Sequence, residues 1–568
     1  MDLKKLNKPK KTIPTSYKLR LIAAAVAFTG LVTIWSVLMA VLHIKRSHIV
    51  PADAGVTLFI GLSFIYLASN LSKGKRNAAV IATVLYIFLL ARNIRHFDFD
   101  LSDTHYPLRL ALLNILLPAL VLLGLAFNWK LFNVRSEIRS FTTALRRSLI
   151  VLLVAFLYGV VGFQLLDERD FHQDMSLLTG AHYTVDQFDL TTSKQLTPYT
   201  KRAKLFLDSL DVMSFGAAFY VVISIFAPIK FRLSNQQRDQ EDIKQLLIKY
   251  PASSEDFFKL WPPGKAYFFT PDRQAGLAYR SVRGVALVIG DPAGDSSRFE
   301  ELLTNFSEYC RVNDWEPALI HTEKTYEPLY KQLDFELQKI GEEAIVDTEH
   351  FVKNVATNKY FRHIESKFER QKYSCELLTA PHSPTLIARL KEISDDWLKV
   401  PGRAERGFMM GYFSEDYMQQ CALMVARDET GEVQAFINQI PSFNESEANF
   451  DFLRHARTSP GNINDFLMQN FISRLAEQGV KRLNMGLAPL AGLKKEDTQH
   501  GAIDAVMTFV YSNGNRFYSF QGLKKFKDKY EPNWQDRYIV YRGGLRGFSK
   551  VLNALMQAMR LPRIRHAH

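Results

Sequence analysis

Apolar runs long enough to cross a hydrocarbon core of ~30 Å occur at about 21–44, 49–71, 77–94, 109–129, 148–166 and 210–229, and the chain beyond 230 reads as an ordinary globular protein. A chain divided in this way has to fold as two unlike parts, because backbone in lipid must satisfy its own polar groups within helices. The first run is not a signal peptide: it is too long, and no small-residue cleavage site precedes the further spans.

Flanking charge sets the orientation. Lys4, Lys5, Lys8, Lys10, Lys11, Lys18 and Arg20 precede the first run, Lys73, Lys75 and Arg76 follow the second, and Lys130, Arg135, Arg139, Arg146 and Arg147 follow the fourth. The long loop at 167–209 offsets its bases with Asp167, Glu168, Asp170, Asp174, Asp186 and Asp189. Six spans with the N-terminus inside place the soluble half in the cytoplasm. The one acid at a span edge, Asp53, is interfacial, whereas an ion-coupled transporter buries acids deeper. The expected divisions are a basic tail at 1–20, a six-helix membrane domain at 21–230, and two soluble α/β units at 231–380 and 381–568.

The net charge of +13 and pI near 9.3 favour phosphate-rich partners, either anionic lipid or nucleic acid. Cys310, Cys375 and Cys421 stand apart, with no CxxC or Cys/His pairing, which excludes a disulfide framework and a thiolate zinc site. No metal or cofactor is called for.

In the soluble half, 234–260 has a helical, polar pattern, and strands are expected from Ala266, from Ala275 and over 284–290, separated by turn residues. A helix at 296–312, a strand at Glu316–His321, a helix over 326–335 and a strand at Glu343–Asp347 complete the first unit. The second has helices at 384–398 and 464–478 and strands at 421–426, 433–439, Arg482–Met485 and Asp536–Tyr541. Element order, not sequence repetition, suggests a tandem.

Several segments carry the chemistry. Gly290-Asp291-Pro-Ala-Gly294 ends a strand and opens a helix, so it reads either as a phosphate-binding nest or as a tight turn whose Asp291 or Asp295 caps the helix. No Gly-Lys-Ser/Thr follows, which excludes a Walker A loop. Asp451 and Arg454 share a face if helical, or lie together beside a turn. Lys524, Lys525, Lys527 and Lys529 interleave with Phe520, Phe526 and Tyr530, and Asp528 is the one acid among them. They fit a polyanion-binding surface or a solvated helix face. Beyond them, basic residues flank the apolar stretch 551–556, a helix lying on the membrane or packed back on the domain.

These segments resemble the aminoacyl-phosphatidylglycerol synthases, the multiple peptide resistance factor family. The resemblance runs colinearly through Leu287–Asp295, Trp315, Tyr326–Tyr330, Phe335, Lys339–Gly341, Asp451–Arg454, Asn484–Leu490 and Phe520–Tyr538, covering roughly 240–545. It implies two GNAT-like (acetyltransferase-like) units with a tunnel between them, and transfer of an amino acid from aminoacyl-tRNA to phosphatidylglycerol. The Arg/Gln-x-x-Gly-x-Gly/Ala loop of acetyl-CoA enzymes has no good match here. By this resemblance Asp451 and Arg454 are the catalytic candidates, holding the donor ammonium and a phosphate. Gly290, Asp291, Asn484, Gly486, Lys524, Lys525, Lys527 and Arg537 are the substrate-binding candidates. The expected partners are aminoacyl-tRNA, phosphatidylglycerol and anionic membrane lipid, and the expected consequence is resistance to cationic peptides. The chain departs from the family in its shorter helical region, since full-length members include a flippase. The alternatives are a related transferase acting on another lipid and a non-catalytic membrane protein that binds lipid or nucleic acid.

Overall fold

A computed structural model describes residues 17–43, 54–95, 108–134, 138–166, 168–171, 176–188, 196–225, 236–400, 403–492 and 520–561. They divide into two units, Met1–Ile229 with Arg311–Asp314, and Lys230–Cys310 with Trp315–His568.

The first unit is helical: Tyr17–His43, Ala54–Ser72, Arg76–Arg95, Leu108–Phe127, Ile138–Leu165, Leu177–Phe188 and Lys201–Ile225. Each expected span overlaps one of these, and the helix Leu177–Phe188 lies inside what read as a loop. The first two helices meet backbone to backbone, for a Cβ on Gly30 would stand 2.7 Å from the Gly61 carbonyl oxygen. By length and composition, two stretches are sufficient to cross a membrane, Tyr17–Trp35 and Ser148–Leu165. Phe59–Ser72, Arg76–Ala91 and Ile115–Phe127 are apolar but shorter among the described residues. The sixth expected span sits on a helix that also carries Lys201, Arg202, Lys204, Asp208 and Asp211, and its end at 226–229 lies outside the described residues.

The second unit is built on one sheet. Its strands are β1 (Ala266–Phe269), β2 (Ala275–Val282), β3 (Val285–Ile289), β4 (Ala293–Gly294), β5 (Glu316–Thr322), β6 (Glu336–Asp347), β7 (Ser374–Leu378), β8 (Ala422–Arg427), β9 (Val433–Ile440), β10 (Glu447–His455), β11 (Arg482–Pro489) and β12 (Asn533–Tyr541). They run in the order β1-β2-β3-β5-β12-β6-β11-β10-β9-β8-β7, with β4 beside β2. Two strand–helix–strand passages repeat in it. In each, parallel neighbours, β3 with β5 and β10 with β11, are joined through a helix, Phe299–Val312 in one and Ile463–Glu477 in the other.

The division expected at residue 380 is not where the packing divides. β12, the last strand in the chain, lies between β5 and β6 and pairs with β6 from Asn533↔Ile345 to Tyr541↔Glu336. Phe351, Phe361, Ile364 and Phe368, all before 380, are buried with Phe466, Leu467 and Phe471 under the later half of the sheet. Strand pairing interleaves the ends of the two repeats, which element order along the chain could not reveal.

The 451–454 segment, expected to be helical or at a turn, lies in strand β10. The C-terminal helix Gly544–Met559 packs back on the sheet, setting Phe548, Val551, Leu552 and Leu555 against Val285, Leu287, Ile320 and Ile539. Its apolar side is therefore used within the fold. Phe548→Ala should destabilise the second unit by about 3–5 kcal/mol, read as a lower unfolding midpoint of the full chain. Unchanged stability with weaker vesicle binding would instead favour a helix lying on lipid.

Candidate active site at a split in the sheet

Successive residues of a strand face opposite sides of the sheet. Ile437, Ala448, Leu483, Ala344 and Val346 are buried in the core that also holds the 463–477 helix. Their neighbours Asn438, Asn449, Asn484 and Glu343 therefore point to the other face, where all four are buried. Arg537 on β12 joins them through an ion pair with Glu343. The result is a buried polar row across β9, β10, β11, β6 and β12, which are neighbours in the sheet. Such a row is costly unless its members are paired.

The sheet splits within this row. β10 and β11 pair through Glu447↔Arg482, Ala448↔Leu483 and Asn449↔Asn484 and no further. Beyond that point each strand bulges, β10 between Phe450 and Leu453 and β11 between Asn484 and Leu487. Asp451 and Gly486 each stand two residues past the last pair, on opposite lips of the split.

On the β10 lip, the buried Asn438 side chain accepts from the Asp451 and Phe452 amides, holding the bulge open. Asp451 Oδ2 accepts from the Gly411 amide at 2.6 Å and the Tyr417 hydroxyl at 3.0 Å. A Cβ on Gly411 would overlap the Tyr417 ring and lie 2.5 Å from Asp451 Oδ2, so glycine is what admits this donor. Burial pushes the Asp451 carboxyl up to about 7, even though both donors favour its charged form. Arg454 is buried between the rings of Trp397 and Phe452, 4.9 and 3.9 Å from their centroids, and is bonded to Glu405 at 2.9 Å and to Ser394. Its ion pair is with Glu405, so the expected Asp451–Arg454 pairing on a helix face or at a turn is replaced. Trp261 stacks on Tyr417 at 5.5 Å and adds a second aromatic layer.

On the β11 lip, Gly486 takes the left-handed conformation at φ +78° and donates its amide to Asn484 Oδ1 at 2.7 Å. Lys527 donates to the Gly486 and Leu487 carbonyls at 2.7 and 3.0 Å, and burial pushes its ammonium down to about 8. Glu343 on β6 faces Arg537 and lies 3.5 Å from His321 Nε2, while His321 Nδ1 lies 2.9 Å from Glu255. Burial holds Glu343 above the ordinary carboxylate range; desolvation also raises Glu255, which is partly buried, but the His321 charge and hydrogen bond hold it low. Ligand atoms of Glu255, His321 and Glu343 lie within 4.8 Å of one another. The Arg537 guanidinium already neutralises Glu343 there, so a divalent ion would face a fixed cation.

The structure thus brings Asp451, Arg454, Asn484, Gly486, Lys527 and Arg537 into the central polar region, and leaves the other candidates elsewhere. Gly290 donates its amide to Ile320 at 2.8 Å, and Asp291 accepts from the Glu323 amide at 2.9 Å and from Tyr330, tying β3 to the end of β5. The helix cap is Asp295, which accepts from the Ser297 amide at 2.9 Å. Burial pushes Asp291 up to about 6.

The four lysines do not form one cationic surface. Lys524 lies over the Trp534 ring at 3.7 Å, Lys525 is exposed, Lys527 is buried, and Lys529 bonds Asp465 at 2.9 and 3.0 Å. The short helix Phe520–Asp528 turns successive lysines toward different neighbours. Glu255, His321, Glu343, Glu405, Gly411 and Tyr417 were not foreseen from sequence. They converge from separate elements, and nothing local marks them. A groove of about 220 Å³ beside Gln439, Ser442 and Glu447 includes none of the candidates.

With a carboxyl near 7 on one lip and an ammonium near 8 on the other, the split holds a proton acceptor and a donor that both titrate close to neutrality. Lys527→Met should strand two carbonyls at about 1–3 kcal/mol each, whereas Lys525→Gln should stay within about 0.5 kcal/mol, both read by unfolding midpoint. Asp291 and Asp451 hold their protons more tightly folded than at their ordinary 3.8. The stability they contribute is complete below about pH 4 and is lost as pH rises through about 6 and 7. The midpoint from these groups should be higher at about pH 5 than at about pH 8, and Asp451→Asn should flatten the upper part of that change.

The profile of the family described as Phosphatidylglycerol lysyltransferase, C-terminal, matches residues 245–541. The chain belongs to that family. It is 31% identical over 278 residues to the phosphatidylglycerol lysyltransferase of Bacillus subtilis, covering 49% of this chain and 32% of that protein. To the Staphylococcus haemolyticus enzyme of the same name it is 32% identical over 302 residues, covering 53% and 35%. It therefore spans about a third of the length of these relatives. The structure of L-PGS from Bacillus licheniformis superposes with a TM-score of 0.51 at 27% identity, over 57% of this chain and 98% of that one.

Proposed function

We propose that this protein transfers an aminoacyl group, lysyl by the names of its relatives, from aminoacyl-tRNA to phosphatidylglycerol. The observation that carries this reading is Asp451, a partly buried carboxyl raised to about 7 and held by Gly411 and Tyr417 at the split between β10 and β11. Asp451 accepts the proton of the lipid glycerol hydroxyl as its oxygen attacks the ester carbonyl. The tRNA 3′-terminal ribose oxygen leaves and takes back the proton from Asp451. An activated ester needs mainly positioning and charge stabilisation. Arg454, committed to Glu405 and stacked between two rings, acts as a positioning residue for β10 rather than a free phosphate ligand.

Both strand-to-helix turns argue against an acyl-CoA donor. A helix N-terminus attracts a diphosphate, yet the turn before the Phe299–Val312 helix holds Asp295. The first turn of the Ile463–Glu477 helix holds Asp465, bonded to Lys529, Tyr530 and Tyr360. Each turn thus carries its own carboxylate.

The helical unit serves as a membrane anchor with its N-terminus and the second unit on the cytoplasmic side. Exposed Leu149, Leu153, Leu157 and Val161 on one helix support contact with lipid. Making the headgroup less negative would weaken cationic-peptide attraction to the envelope.

Membranes containing the protein, supplied with lysine, ATP and a charging tRNA extract, should yield a lipid heavier by one lysyl group. RNase should abolish it. Product that survives RNase, or that requires acetyl-CoA, overturns the donor assignment. Product formation should rise with pH through about 7, as Asp451 loses its proton, and Asp451→Asn should remove that limb along with most of the rate.

A further inference from the structure

One buried donor at the split has no use in the fold. Asn484 is 1% exposed, and its Nδ2 has no hydrogen-bond partner among the described residues. The amide orientation is not arbitrary: the Gly486 N–H must be met by an acceptor, and Asn484 Oδ1 meets it at 2.7 Å. Among the described residues the NH₂ end is therefore the one without a partner. Leaving such a donor buried and unmet is costly, and it stands in the buried polar row with Asn438, Asn449 and Glu343.

Its place gives it a use. Asn484 is the last residue of β11 to pair with β10, opposite Asn449, and Asp451 stands two residues beyond on the other strand. The side chain lies on the same sheet face as Glu343, set by its pairing with Ile345. Gly486, whose left-handed backbone makes the bulge, is also the residue that orients the amide. The bulge thus opens the split and aims the donor.

We propose that Asn484 Nδ2 donates to the oxyanion that forms when the lipid hydroxyl attacks the aminoacyl ester. This rests on the aminoacyl-transfer reading above and adds a catalytic residue to it. The new carbon–oxygen bond forms to the glycerol oxygen, whose proton passes to Asp451. The carbonyl oxygen takes up the negative charge and faces the Asn484 amide, and as the carbonyl reforms the ribose oxygen departs with the proton returned by Asp451. The amide meets this charge without reorganising, which is what makes such a donor effective.

The test is the full-length protein in membranes with lysyl-tRNA and phosphatidylglycerol, comparing wild type with Asn484→Asp. The aspartate keeps the acceptor for Gly486 N–H and the side-chain shape but loses the donor. kcat should fall about 10²–10³-fold with KM for lysyl-tRNA within about threefold. A phosphonate analogue of the lysyl ester, carrying a tetrahedral anionic centre, should lose affinity far more than lysinamide does. Asn484→Ser, whose hydroxyl can serve the Gly486 amide or the oxyanion but not both, should fall between, and it supplies the comparison if the aspartate variant fails to accumulate. Wild-type kcat in either folded variant, or equal losses for phosphonate and lysinamide, overturns the proposal and leaves aminoacyl transfer standing. A wild-type protein that forms no aminoacyl lipid removes the transfer reading itself, and this inference with it.

Discussion

The parting of β10 from β11 after Asn449↔Asn484 is the constraint on which the rest of the site depends. Two parallel strands that stay paired would meet their backbone groups in a ladder and leave no opening. Here both strands gain a bulge immediately past the last pair, and each bulge is closed by a side chain. Asn438 takes the two exposed amides of β10, and Lys527 takes the two exposed carbonyls of β11. The matching of donor to acceptor is complementary: the strand that offers N–H groups meets an amide oxygen, and the strand that offers C=O groups meets an ammonium. A polar split is thereby stabilised inside a sheet whose other face is an apolar core.

The same device explains why the site is so heavily ionisable yet so deeply buried. Asp451, Glu343, Arg537 and His321 come from strands, Glu255 from the segment before β1 and Lys527 from the helix Phe520–Asp528. Glu343 and Glu255 share His321, and burial drives one up while the imidazole holds the other down. Removing one partner of such a set leaves a buried charge unmet, which costs more than the pair contributes when whole. The packing of Ser254 on Glu447 fixes the segment that carries Glu255 against the start of β10, so the charge network and the β10 lip are positioned by one element.

The strands of the soluble half were legible because their apolar runs are short and bounded by turn residues, as at Pro271-Asp272 and Arg283-Gly284. The interleaving was not, since nothing in Asn533–Tyr541 says that it pairs with Glu336–Asp347 rather than with a nearer strand. Asp451, Arg454, Asn484 and Gly486 came from recognisable segments, whereas Tyr417, Gly411 and Glu405 are contacts made only after folding. Asp451–Arg454 read as one helix face or as two residues beside a turn, because those are the simple meanings of an i,i+3 spacing in sequence. A bulge supplies another, by turning Asp451 into the split while Arg454 packs beside Phe452. The lysines read as a cationic surface because composition counts charges without their partners; Asp465, Trp534 and two carbonyls account for three of the four.

That redistribution of the lysines bears on how the donor is chosen. Lys529 is drawn inward by Asp465 in the first turn of the helix after β10, where Tyr360 and Tyr530 also converge. A fold that offered this helix end to a diphosphate would place a donor or a small residue there and leave Lys529 free to assist. Instead the carboxylate fills the end of the helix and Lys529 neutralises the carboxylate, so the helix and the lysine satisfy each other. At the split between the strands stand Asp451, held by the Gly411 amide, and Asn484, whose Oδ1 is held by the Gly486 amide, groups that on the proposed reading take a proton and an oxyanion rather than grip a diphosphate. In the transfer proposed above, the chemistry would sit at the split in the sheet rather than at the helix end.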